Sequence, residues 1–81
     1  MARYSIPQPV SPDDLRPFVG RHLTIHRQCA GRYGTLEGVL LWVGQYGEQD
    51  VLPAGLREEQ GESVIDASGI YAIEAEGLCE D

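Results

Sequence analysis

Residues 21–43, RHLTIHRQCAGRYGTLEGVLLWV, decide the fold. Within residues 21–27 the positions Leu23 and Ile25 are apolar, while His22, Thr24 and His26 around them are polar. A period of two sends successive side chains to opposite faces of an extended chain, so this is a half-buried strand. Gly31 and Gly34 bracket a turn over residues 29–34, and a second run follows at residues 35–43. Gly38 interrupts that run. A glycine inside a strand marks a bend or bulge, which a small barrel needs in order to curl.

Upstream, residues 1–10 with Pro7 and Pro9 read as an extended, flexible N-terminal arm. Ser11-Pro12-Asp13-Asp14 is a helix start: serine caps, proline suits the first helical position, and acids favour the positive end of the dipole. Leu15, Phe18 and Val19 supply the apolar stripe and Gly20 the stop, so a helix is expected over residues 12–19. Downstream, a third strand is expected near residues 49–52, ended by Pro53, followed by a loop over residues 55–61. Two short strands at residues 62–66 and 70–75 flank Ser68-Gly69, and residues 76–81 read as an acidic, frayed C-terminal tail. The expected fold is mainly β: a short N-terminal α-helix, then a five-stranded, strongly bent small barrel, one domain over residues 11–75. Closure of the barrel would leave no exposed strand edge.

With 81 residues and 8.9 kDa, about 63% of the extended chain's surface is expected to be buried on folding. That allows one modest core and little depth for an active-site cleft. Six arginines and no lysine face thirteen acids, a net charge of −7. Residues 1–36 hold five arginines against Asp13 and Asp14, a net of +3, whereas residues 37–81 hold Arg57 against eleven acids, a net of −10. Phosphate contacts supply most of the affinity of nucleic-acid binders, so this balance does not point to nucleic acid as a partner, although the first half retains a local arginine surplus. An acidic membrane surface would repel the chain. The longest apolar stretch, residues 39–43, is far short of the roughly twenty needed to cross a bilayer. Residues 1–15 lack the apolar run of a signal peptide. Cys29 and Cys79 have no metal-type spacing; one disulfide between them is open, but without a secretion signal they read as two reduced thiols, so a cytoplasmic location is expected.

In order of elements the chain resembles the Sm/LSm-like superfamily, an SH3-like small barrel, over roughly residues 14–75. The positions that carry the likeness are Gly20, Leu23 and Ile25, then Gly31 or Gly34, then Gly38-Val39-Leu40. Ile65-Asp66-Ala67-Ser68-Gly69-Ile70-Tyr71-Ala72-Ile73 keeps the isoleucine spacing of the family's second motif. The same stretch is similar to the carboxy-terminal barrel of the bacterial ribosome-maturation factor family. The family's RNA-contacting residues are not matched. Gly44 and Glu48 stand where the family has its Asp and Asn, and Asp66 and Ala67 where it has Arg and Gly, which exchanges a phosphate-binding cation for an anion.

Catalytic and metal motifs are not evident. His22 and His26 lie about 13 Å apart on one face of a strand, too far to share an ion at metal–nitrogen distances near 2 Å. They read as solvent-facing, with a pH-sensitive interface as the other option. Arg27 and Arg32 beside Cys29 suggest an activated thiol only weakly against an ordinary turn cysteine. Glu58, Glu59 and Glu62 read as a solvated loop. Tyr33 and Tyr46 fall in or beside loops, and Trp42 either caps the core or lies exposed. Such aromatics form a peptide groove in some SH3-like folds, or simply pack over barrel ends.

The expected function is therefore non-catalytic, without cofactor: a small-barrel interaction or assembly module whose partner is itself, as a homo-oligomer, or another protein. A +3 and a −10 segment on one small fold favour head-to-tail contacts. The resemblance implies pairing of the fourth-strand edge with a neighbour's fifth, which places Glu62, Val64, Asp66, Tyr71 and Ile73 at the oligomer edge. Arg21, Arg27, Arg32, Tyr33, Trp42 and Tyr46 form the candidate binding surface, with Glu74 and Glu76 among the acidic contributors. The alternative is RNA or ribosome-associated binding through the N-terminal arginines.

Overall fold

A computed structural model describes residues 2–75. The expected tail at residues 76–81, with Glu76 and Cys79, lies outside them. The arm is the first correction. It is extended, but Ala2–Ser5 form a strand (β1) paired antiparallel with the last strand, Tyr4 opposite Ile73. Ile6 and Val10 are 6% and 1% exposed and join the core, and Tyr4 meets Phe18 edge-on at 5.4 Å. Pro7 and Pro9 end the strand without freeing the segment, because apolar side chains on both sides of them are buried.

Helix α1 spans Pro12–Leu15. Its start is as the sequence dictates: the Ser11 hydroxyl accepts from the Asp13 N–H at 3.3 Å, and the Asp14 carboxylate accepts from the Ser11 N–H at 3.2 Å. The α-helix stops four residues earlier than expected, giving way to a 3-10 turn over Arg16–Phe18. Pro17 is the cause, since it has no N–H and its ring crowds the carbonyl one turn back. Leu15 and Phe18 still point into the core.

Strands β2 (His22–Cys29) and β3 (Arg32–Val43) form a hairpin closed by Ala30 and Gly31, both at positive φ, +54° and +80°. Two left-handed residues are what a two-residue turn needs to match strand twist. β3 is long enough to serve two neighbours. It pairs β2 as far as Val39 opposite His22, and pairs β4 from Val39 onward, with a register shift between Leu40 and Trp42. The bulge thus falls after Gly38 rather than on it. Gly38 is needed for a different reason: a Cβ there would run into the Arg57 carbonyl oxygen.

The largest misreading concerns β4, which spans Pro53–Glu58; residues 49–52 are not a strand. Pro53 begins the strand instead of ending one, a position where a missing N–H costs the ladder nothing. Within the expected loop, Ala54 and Leu56 are fully buried and Gly55 lies beneath the Trp42 indole. β5 (Gly61–Asp66), a 3-10 turn (Ala67–Gly69) and β6 (Ile70–Ala75) follow.

The result is one antiparallel sheet in the order β1-β6-β2-β3-β4-β5. Six strands replace the expected five, because the arm contributes one. Among the described residues the sheet is not closed, so β1 and β5 are outermost. Leu23, Ile25, Leu40, Leu56, Ile70 and Ile73 line its inner face beneath α1 and the arm, each at most 1% exposed. Among the described residues, no helix is long and apolar enough to cross a membrane.

Candidate interaction surface

The hydrogen-bond ladders decide which backbone groups the outer strands offer. In an antiparallel pair, residues whose N–H and C=O engage one neighbour alternate with residues that turn those groups the other way. The Ala67 N–H donates to the Leu52 carbonyl at 2.7 Å, and the β4–β5 register runs unbroken from Pro53 opposite Asp66 to Glu58 opposite Gly61. Ser63 and Ile65 therefore face β4, while Glu62 and Val64 turn their backbone groups outward. On the other side of the sheet the Ile6 N–H donates to the Tyr71 carbonyl at 2.9 Å. By the same alternation Tyr4 faces β6, and Arg3 and Ser5 turn outward.

An apolar strip leads to the β5 edge. Trp42 is opposite Gly55, and Gly55 is opposite Val64, so all three lie on one outer face. Trp42 is 44% exposed and Val64 66%, and they border a groove of about 210 Å³ with Leu41, Glu62 and Ser63. Gly55 makes the strip possible, since a Cβ there would collide with the indole. The charges beside it are acidic: Glu58, Glu59 and Glu62 surround Arg57, whose guanidinium is 3.5 Å from the Glu62 carboxylate with both side chains exposed. An exposed pair of this kind contributes about 0–1 kcal/mol, so Glu62 is lightly held.

The other expected edge residues are placed differently. β6 is hydrogen-bonded on both sides, to β1 and β2, and so presents no open edge. Ile73 is in the core at 1% exposure. Tyr71 is half-buried against Tyr33 (ring centroids 5.9 Å apart, edge-on) and His26 (6.3 Å). Asp66 is committed inward: its carboxylate accepts from the Ser68 N–H at 3.0 Å and the Leu52 N–H at 3.1 Å, capping the 3-10 turn and closing the end of the 44–52 loop. Partial burial pushes the Asp66 pKa up, but these hydrogen bonds and the Arg27 charge outweigh it and hold the carboxyl below its ordinary value.

The candidate binding residues do not converge. Tyr46 is a clamp on the arm, its hydroxyl donating to the Val10 carbonyl at 2.5 Å. Loss of water around the phenol, with the Asp66 and Asp50 carboxylates nearby, raises its pKa. Arg27 is half-buried towards Asp66, Arg21 lies beside Thr24 and Glu37, and Arg32 and Tyr33 are exposed near the hairpin turn. Only Trp42 of that set adjoins the open edge.

His26 and His22 address different carboxylates, Nε2 of His26 lying 3.1 Å from Glu74 and that of His22 3.8 Å from Glu37. Glu74 also accepts from Arg3 at 3.0 Å, which ties β1, β6 and β2 together across their outer face. Sequence reasoning missed this bridge because it treated Arg3 as part of an unattached arm. Among the described residues no group of three His, Cys, Asp or Glu side chains is arranged to hold a metal ion. Comparison with family models, with curated proteins and with solved structures finds no match to this chain.

Proposed function

We propose that this chain is a non-catalytic interaction module that joins copies of itself through the outer edge of β5. The observation that carries the reading is that β5 pairs with β4 alone among the described residues while exposing Val64 beside Trp42. An outermost strand with unpaired backbone groups and apolar side chains is a template for another strand. The half-buried polar side chains serve the fold: Asp66 caps a turn, Tyr46 clamps the arm, and Glu74 bridges Arg3 and His26. The Sm-like, SH3-like barrel remains the finer reading of the architecture. A short helix followed by the order β6-β2-β3-β4-β5 supports it, with β1 as an addition.

RNA binding by the N-terminal arginines is the weaker reading, because Arg21, just before β2, and Arg27 within it are about 20 Å apart in extended chain and Arg27 is turned towards Asp66. The test is native mass by light scattering for the wild type and Val64→Pro. Proline at position 64 removes an outward N–H and leaves the β4 ladder intact. Assembly of the wild type and its loss in Val64→Pro are expected. A monomeric wild type at millimolar concentration, or a Val64→Pro variant that assembles normally, overturns the reading.

A further inference from the structure

We infer that the strand received by β5 is β1 of a second copy, so that association is head to tail and extends one sheet into the next. This rests on the proposed role of the β5 edge and names its partner. Two outer strands offer backbone groups among the described residues, and the choice lies between β5 with β5 and β5 with β1.

Charge separates them. Antiparallel pairing of β5 with a copy of itself about Val64 sets Glu62 opposite the partner's Asp66 twice over, and places Glu58 and Glu59 of each chain towards the Asp66 end of the other. Like charges directly opposite destabilise a strand pair. The β1 end has the complementary character. Arg3 stands on its outer face with a side chain 54% exposed despite the contact with Glu74. The charge contrast lies in the two outer strands themselves, Arg3 on β1 against Glu62 on β5 with Glu58 and Glu59 beside it.

The backbone agrees. Arg3 and Ser5 turn their N–H and C=O groups outward on β1, and Glu62 and Val64 do so on β5, giving two matched residues on each side. Arg3 then lies near Glu62, whose contact with Arg57 is long and exposed. The contact uses different surfaces of each copy, the heterologous geometry that makes rings or filaments rather than a two-fold dimer.

Blocked copies test this. Ser5→Pro removes an outward N–H from β1 and Val64→Pro removes one from β5, each at an edge position that tolerates proline. Each variant alone is expected at the monomer mass. An equal mixture is expected at twice that mass, because one intact β5 meets one intact β1 and neither remaining edge can continue. Circular dichroism and thermal unfolding of each variant establish that it is folded. Glu62→Arg supplies a second test without a backbone change, because it weakens a β5–β1 contact severalfold but strengthens a β5–β5 contact by removing the acid pair. If Ser5→Pro assembles like the wild type, or Glu62→Arg tightens assembly, the β1 assignment is overturned while the role of the β5 edge stands. If Val64→Pro also assembles, both fail.

Discussion

The two outer strands of this sheet are finished in different ways. β1 is four residues long, carries a charge on its outer face and runs directly into Ile6 and Pro7; β5 is six residues long and carries Val64, two-thirds exposed, beside a half-exposed tryptophan. β1 is fastened by side chains on every side of it: Tyr4 on Phe18, Ile6 and Val10 in the core, Arg3 on Glu74 and the Tyr46 hydroxyl on Val10. β5 is fastened by its ladder to β4 and by Asp66 at its end. Shortness, charge and a nearby proline are the usual means by which proteins blunt an edge. β1 shows all three, which limit its pairing to a short stretch where Arg3 and Ser5 face outward, whereas β5 is longer, has no proline and sets Val64 beside the charge of Glu62. Anchoring a strand and covering it are therefore separate tasks, and the acidic end of this sheet does the first without the second.

The sharpest way to break the comparison is to remove one aliphatic side chain from each edge. Ile6→Ala empties a core position and is expected to cost about 2–4 kcal/mol, a fall in Tm of roughly 10–25 °C for a domain of this size. Val64→Ala removes an exposed side chain and is expected to change stability by no more than about 0.5 kcal/mol while weakening assembly. Chemical denaturation with native-mass measurement reads both. A large stability loss at Val64 with none at Ile6 would reverse the assignment of anchored and open edges.

The next effects are smaller and opposite in pH. Asp66 has a lowered pKa in the folded chain, so its stabilisation is present above the unfolded value near 3.9 and disappears as pH falls through the folded one. Asp66→Ala is expected to cost about 1–2 kcal/mol at neutral pH, through two amides left without their acceptor, and to flatten the acid limb of the stability curve. Tyr46 has a raised pKa, so its stabilisation is complete below about pH 10 and lost as pH rises through its folded value. Tyr46→Phe is expected to cost about 1 kcal/mol at neutral pH by leaving the Val10 carbonyl without its donor, and to remove the alkaline contribution. Acid therefore loosens the β5 corner and alkali loosens the arm. Unfolding curves from pH 2 to 11 decide this; an unchanged acid limb in Asp66→Ala would show that its carboxylate does not hold the corner.

What the sequence made legible follows the range of the interactions involved. The β2–β3 hairpin could be read because Leu23 and Ile25 alternate with polar residues, and the helix start because Ser11 and Asp14 act within one turn. β4 was hidden by composition: Pro53, Gly55 and Glu58 look like loop residues, and only Trp42 across the sheet explains Gly55. The arm was hidden for the same reason, since Ile6 and Val10 are isolated apolar residues whose burial depends on β6 and α1. At the candidate surface, the resemblance to Sm-like barrels put Glu62 and Val64 on an edge, and the ladder leaves their strand outermost among the described residues. Tyr71 and Ile73 were misplaced because the strand that covers β6 comes from residues some seventy positions earlier.

A last, small effect lies away from both edges and serves as their control. Ala30 is held at φ +54° in the two-residue turn between β2 and β3, a conformation that an alanine side chain disfavours and asparagine tolerates. Ala30→Asn is expected to stabilise the chain by about 0.5–1 kcal/mol, because Asn-Gly is the preferred pair for a turn with two left-handed residues. The turn joins the two central strands of the sheet, so relief of its strain leaves β1 and β5 as they were. Stability should rise in thermal unfolding while native mass at each concentration stays the same. A change in assembly with this substitution would place the exposed hairpin end, with Arg32 and Tyr33, inside the contact between copies and would break the account in which the two outer strands alone carry it.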